Sequence, residues 1–169
     1  MESFYMSQYG SVRTVQDSLT NMTEYVLPVH ANVLGNVFGG QILSWMDVCA
    51  AICAQRHCGT VAVTAGLDEL FFEQSVRVGQ VVRIQSFVSA TFKSSLEVRV
   101  IVTGEDPTSR VTWPCVSAYM TFVAIDAHKK PMSIPQLELG DEDAHKKHAQ
   151  ALARKQRRLE IRTQYAKQG

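Results

Sequence analysis

The sequence predicts an α+β fold, an antiparallel sheet wrapped around one long central helix, with a second, charged helix at the C-terminus. Three observations carry this reading. A chain of 169 residues, 46% apolar and 20% charged, has the size and composition of one globular core. Residues 41–57 have helical period, with an apolar stripe about 80° wide. Four later stretches are rich in Val, Ile, Thr and Phe and are separated by turn signals. One sheet closed over one apolar helix buries that helix economically.

The elements follow in order. Residues 1–19 read as a flexible N-terminal segment ahead of a domain spanning 20–140. That segment has no apolar run of the kind a secretory signal needs. Its one base, Arg13, set against Glu2 and Asp17, also argues against a mitochondrial leader. Residues 20–29 read as a first strand, with Met22, Glu24 and Val26 alternating and Pro28 closing it. Residues 32–40 are turn-rich, and Gly35, Gly39 and Gly40 allow backbone conformations other residues avoid. A helix from about 38 to 57 is roughly 30 Å long. Leu43, Met46, Ala50 and Ala54 share its apolar stripe, and the small side chains in the middle require something to pack very close.

Strands are expected at 61–72, 80–92, 96–103 and 112–125, separated by Gly79, by Lys93, Ser94 and Ser95, and by the turn 104–107. Arg83, Gln85, Glu97 and Arg99 alternate with apolar neighbours, which gives these strands one wet and one dry face. The short connections predict an antiparallel meander. Residues 141–169 read as a charged helix opened by Asp141, Glu142 and Asp143, with a thin apolar seam of Ala149, Leu152, Leu159 and Ile161. This helix reads as a solvated, oligomer-facing element.

Charge and cysteine usage exclude several function classes. Lys and Arg number 17 against 16 Asp and Glu, for a net charge of +1. Residues 1–140 carry 9 basic and 12 acidic side chains, and residues 141–169 carry 8 and 4, so a slightly acidic body bears a basic tail. That balance argues against a dedicated nucleic-acid surface. No apolar run reaches the ~20 residues needed to span a bilayer. The 4 cysteines show neither zinc-site spacing nor a disulfide framework, and Cys49 and Cys53 read as small buried hydrophobes in a reducing compartment. The sequence predicts a cytoplasmic protein without a metal.

Asp47 is the anomaly. It lies about 40° from Leu43 on the helix, among Trp45, Met46, Val48 and Cys49. Charged groups are almost never buried without a partner. Asp47 therefore reads either as a helix-edge residue bonded to Ser44, a backbone amide or Arg56, or as a general base or nucleophile in a cleft. Gly39 and Gly40 open the helix, where unpaired N–H groups and the dipole make an anion site able to hold an oxyanion. Asp47 lies seven residues beyond Gly40, roughly 10 Å along the axis. One helix does not easily bring both to one reacting centre, so the spacing favours a site at a subunit interface.

The run Asn32-Val-Leu-Gly-Asn-Val-Phe-Gly-Gly-Gln-Ile-Leu-Ser-Trp-Met-Asp47 closely resembles the acyl-CoA thioesterases of the hotdog fold, in the branch of cytosolic acyl-CoA hydrolases and small bacterial thioesterases. Further matches are Ala54-Gln-Arg-His-Cys58, Val63-Thr-Ala-Gly-Leu-Asp68, Phe71-Phe72, Val78-Gly-Gln-Val-Val82, Lys93-Ser-Ser-Leu-Glu-Val98, Phe122-Val-Ala and Pro131-Met-Ser-Ile-Pro135. Together they cover about residues 20–140.

The resemblance implies a hotdog domain that hydrolyses an acyl-CoA to free acid and CoA. In it, Asp47 would be general base or nucleophile, and Asn32 would be supplied by the neighbouring hotdog unit. CoA is then substrate and product, and no cofactor is needed. Some relatives fuse two hotdogs and divide these residues between the halves. Both occur here in one domain, so a homodimer holds two equivalent sites, and similar proteins assemble further as a trimer of dimers. The Gly40 amide is the first choice of oxyanion donor and Gly39 the second. Lys93, Ser94 and Ser95 fall where relatives approach the nucleotide, and Arg56 is a further phosphate or interface contact. Relatives commonly carry Asp at the position of His30 and His at that of Phe38, and both departures bear on chain-length preference. His30 and His57 read as structural, with His57 at the helix end where its charge suits the dipole.

Two other functions are weighed against hydrolysis. A hotdog hydratase or dehydratase needs a His beside the thioester, and the N-terminal half of the helix has none. A non-catalytic acyl-CoA sensor needs an effector module, for which the chain outside 20–140 leaves little room.

Overall fold

The structure, a computed structural model, describes residues 12–68 and 70–166. Most of the segment expected to be flexible, 1–11, and the last three residues of the tail lie outside the described residues. The central element is helix α1 (Gly39–Cys58). Its strands are β1 (Val12–Arg13), β2 (Thr20–Tyr25), β3 (Ala62–Leu67), β4 (Phe71–Phe72), β5 (Val81–Thr91), β6 (Ser95–Glu105), β7 (Thr112–Ala124) and β8 (Gln136–Leu137), and helix α2 (Glu142–Ala166) closes the chain.

The main sheet runs β2-β5-β6-β7-β3 with every pair antiparallel, and β4 pairs with β7 beyond β3. Only β5-β6-β7 is a meander. The segment after α1 crosses to the far edge and pairs with β7, so the expected simple meander gives way to a crossover. The strand expected at 61–72 is two strands, because the chain bends out at Asp68 and rejoins β7 at Val116 and Ser117. Residues 12–19 are tied to the domain: β1 pairs in parallel with β8, and the Arg13 guanidinium bonds the Arg56 carbonyl.

The core lies between the sheet's inner face and α1. Val82, Ile84, Val88, Val98, Val100 and Val102 alternate inward and meet Met46, Cys49, Ala50, Cys53 and Ala54, all buried. The small residues bring the helix close, with Cys49 Sγ only 3.7 Å from the Thr20 carbonyl oxygen. Gly59 ends α1 in the left-handed conformation at φ 68° and donates to the Gln55 carbonyl at 2.8 Å.

The outer face is less wet than expected. Arg83 pairs with Glu105 and Gln85 with Asn21 at the surface, but Glu97 is wholly buried beneath α2. The expected apolar seam does not dock α2. Its one buried residue is Ala151, while Leu152, Leu159 and Ile161 are exposed. Asp141 caps α2 by accepting from the Ala144 N–H at 2.8 Å. Among the described residues no helix is long and apolar enough to cross a membrane.

Candidate active site

Phe38 precedes α1 with extended backbone and offers no side-chain cap. The Gln41 and Ile42 N–H groups both return to the Phe38 carbonyl, at 2.9 and 3.2 Å. Among the described residues, no acceptor engages the Gly39 or Gly40 N–H groups. These two donors stand at the positive end of a 20-residue helix, where free N–H groups and the dipole favour negative charge.

The reason for glycine differs from the expected one. Only Gly35 of the three has positive φ, at 74°. Gly39 and Gly40 are helical: a Cβ on Gly40 would crowd the Phe38 ring at 3.3 Å, while one on Gly39 would meet the Phe72 ring in ordinary contact at 3.4 Å. An open groove of about 410 Å³ runs past Gly40, lined also by Val29, His30, Ala31, Phe38 and Gln41.

Asn32 sits in the hairpin that enters this end of the helix. Its Oδ1 accepts from the Leu34 and Asn36 N–H groups at 2.9 and 3.3 Å. The carbonyl half of the amide is thereby committed, which leaves the NH₂ half as the donor for a ligand. His30, on the wall of this groove, is held by two contacts. Its Nδ1 accepts from the Leu27 N–H at 3.2 Å, and its ring meets Trp45 edge-on at 5.0 Å.

Asp47 lies at the rim of the apolar stripe, half-buried, and its partner is neither Ser44 nor Arg56. Thr64 Oγ1, on β3, donates to Asp47 Oδ1 at 2.6 Å. Arg56 instead donates to the Leu19 carbonyl and to Thr20 Oγ1, at 3.2 and 3.1 Å. Sequence reasoning missed Thr64, although it lies inside one of the matched runs. A threonine in a strand needs no special explanation, and only the fold brings it to Asp47.

A single chain thus brings Asp47 and Thr64 together and places Gly39 and Gly40 about two turns away along α1, with Asn32 in the loop that enters that end of the helix. Lys93, Ser94 and Ser95 lie elsewhere again, on the β5–β6 turn. Lys93 O there accepts from Ile134, next to the Pro135 that α1 reaches through His57 near its C-terminal end. A cavity of about 550 Å³ lies between α2 and the end of β3 and is not lined by any of these residues.

His57 is buried, and Nε2–H donates to the Pro135 carbonyl at 3.1 Å. Burial lowers its pKa despite that bond, so the ring is held neutral rather than charged against the dipole. The four thiols are free and buried, and desolvation pushes Cys53 and Cys58 up to about 12 and Cys115 to about 11.

Residues 34–110 match the family model described as the thioesterase superfamily. The mouse acyl-coenzyme A thioesterase 11 is 38% identical over 82% of this chain, which spans only 23% of that protein's length. A crystal structure of an apo-hexameric acyl-CoA thioesterase is 33% identical, with a TM-score of 0.84 over 89% of this chain and 96% of that one. The Staphylococcus aureus acyl-CoA hydrolase, in complex with butyryl-coenzyme A, coenzyme A and coenzyme A disulfide, is 28% identical with a TM-score of 0.84, covering 92% of this chain and 95% of that one. Variants of that hydrolase replace one Asp, one Thr and one Asn by alanine. Those residues have the same mutual spacing along the chain as Asp47, Thr64 and Asn32 here.

Proposed function

Because the chain belongs to the hotdog-fold acyl-CoA thioesterases of the thioesterase superfamily, we propose that it hydrolyses a fatty acyl-CoA to free acid and CoA, with Asp47 at the reacting centre. The observation that carries this is the 2.6 Å bond from Thr64 to Asp47, on a helix whose first two N–H groups are unpaired. The bond fixes Oδ1 and leaves Oδ2 to act. As general base, Asp47 takes a proton from water as the water oxygen attacks the thioester carbon. As nucleophile, it attacks that carbon itself, and water then cleaves the anhydride. In both routes the carbonyl oxygen becomes an oxyanion, accepting first from Gly40 N–H and then from Gly39 N–H. In the base route the C–S bond breaks and Asp47 returns its proton to the departing CoA thiolate; in the nucleophile route the C–S bond breaks as the anhydride forms, and the thiolate gains its proton from the water that then cleaves the anhydride.

The minimal active unit is a homodimer. Asp47 and Gly40 of one chain are roughly 10 Å apart along α1, so the partner supplies the helix N-terminus and Asn32. Supporting this, among the described residues β3 ends the sheet with an unpaired outer edge, and exposed Val48, Ile52 and Val63 flank Asp47 and Thr64. Such dimers assemble further into a trimer of dimers. CoA phosphates meet Lys93, Ser94 and Ser95, with Arg56 serving chiefly the scaffold. The protein is cytoplasmic.

Incubation with acyl-CoAs of graded chain length, with trapping of the released thiol, tests the reading. Wild type turns over, Asp47→Ala loses about 10²–10⁴-fold, and Asn32→Ala loses a few-fold to ~100-fold. A wild type that binds acyl-CoA and releases no thiol is a sensor. An Asp47→Ala variant with wild-type turnover overturns the mechanism.

A further inference from the structure

Asp68 stands midway between two contacts on α1. Four residues before it, Thr64 holds Asp47; four residues after it, the Phe72 ring lies against Gly39. Among the described residues the segment carrying both has β7 on one side and no strand on the other. Its ladder is also interrupted twice, by a register shift between Thr64 and Gly66 and by the break from Leu67 to Phe71. An edge segment with so little pairing needs another anchor.

Asp68 supplies it. Its N–H donates to the Tyr119 carbonyl at 2.9 Å, and its carboxylate accepts from Arg158 Nη1 of α2. The same Nη1 donates to Glu97 Oε2 at 3.2 Å. Glu97, fully buried in the outer sheet face, also accepts from Arg154 at 3.0 and 2.7 Å and from Ser89 Oγ at 2.8 Å. The Arg154 guanidinium lies 3.7 Å over the Tyr119 ring. A buried carboxylate is costly unless fully partnered, and this one is. Leu152, Leu159 and Ile161 of α2 remain exposed and only Ala151 is buried, against Ala90 and Phe92, so the ion cluster is the main seat of α2, and through Arg158 the seated helix grips Asp68.

We propose that Arg158 and Asp68 are positioning residues for hydrolysis, a clamp on the outer face of the sheet that sets Thr64 and Phe72 against α1 on the inner face. The inference rests on the reading that Thr64 and Asp47 act in that hydrolysis.

Steady-state kinetics on the full chain test it. Arg158→Ala lowers kcat by roughly 5- to 50-fold with KM within about two-fold, the range expected when a reacting group is displaced by under an ångström. Arg158→Lys recovers most of the loss, because one nitrogen serves both carboxylates. In a Thr64→Val background the loss from Arg158→Ala shrinks below about two-fold, since the Phe72 contact that remains makes no bond to the Asp47 carboxylate. If Arg158→Ala fails to fold, Asp68→Asn keeps the shape, weakens the grip and shows the same Thr64-dependent loss. An unchanged kcat with a lowered Tm, or equal losses in both backgrounds, overturns the clamp and leaves the hydrolase reading standing. A wild type that releases no CoA thiol sinks both.

Discussion

Thr64 decides how Asp47 presents itself. A hydroxyl donating at 2.6 Å to a carboxylate makes a strong charge-assisted bond and locks the side chain's orientation. Thr64→Val keeps the shape and removes the donor, so kcat should fall about 10- to 100-fold, with Thr64→Ser retaining most of the activity. Equal rates for the Val and Ser variants would show that shape alone matters there. The thiols give a second residue-scale outcome. Cys49, Cys53, Cys58 and Cys115 are buried and pushed toward the neutral form, so a thiol reagent at neutral pH should label none of them until denaturant is added. Asp47 was legible in the sequence because a carboxylate inside an apolar helical stripe is anomalous within a window of a few residues. Thr64 was not, because its partner lies 17 residues away across a helix-to-strand gap.

At the scale of elements, α1 and the three long strands were legible because each carries its own period. The seating of α2 was not, because it depends on Glu97, which in the strand pattern looks like any outward-facing charge. Charge alternation indicates the outer face but not what covers it. Truncating Arg154 to Ala should leave Glu97 short of its main partner and cost about 3–5 kcal/mol in urea unfolding. The end of α1 makes a prediction with a definite sign. Burial lowers the folded-state pKa of His57, so below its ordinary value near 6.5 the unfolded chain takes up a proton that the folded chain resists. Stability contributed there is fully present above about pH 6.5 and is lost as the pH falls from that value toward the depressed folded one. Denaturation midpoints measured from pH 8 to 5 should therefore fall, and His57→Gln should flatten that slope. A slope unchanged by the substitution would place its origin elsewhere.

At the scale of the whole molecule, the spacing of Gly40 and Asp47 on one rigid helix is the strongest constraint. α1 is continuous from Gly39 to Cys58, and no bend within it brings Asp47 back to its own N-terminus. Among the described residues β3, which carries Thr64 against Asp47, is the last strand of its sheet path, and Val48 and Val63 beside that pair are exposed. If a second copy covers that edge, Val63→Lys should yield a smaller species by size-exclusion chromatography that is also inactive, although no residue of the hydrolytic chemistry has changed. Mixing separates sharing from mere proximity. Asp47→Ala and Asn32→Ala homodimers each lack one member of every site. In a mixed dimer, one site draws both alanine substitutions and is dead, while the other draws Asp47 from one chain and Asn32 from its partner and is intact. Unfolding and refolding the two variants together at equal concentration makes half the dimers mixed, so mixing should add about a quarter of wild-type activity to the residual activity of the Asn32→Ala homodimers. If each chain instead used its own Asn32 with its own Asp47, every site in every dimer would carry a lesion and mixing would recover nothing. The magnitude is therefore diagnostic, because stabilisation of one variant by the other would raise both residual activities without converging on that fraction.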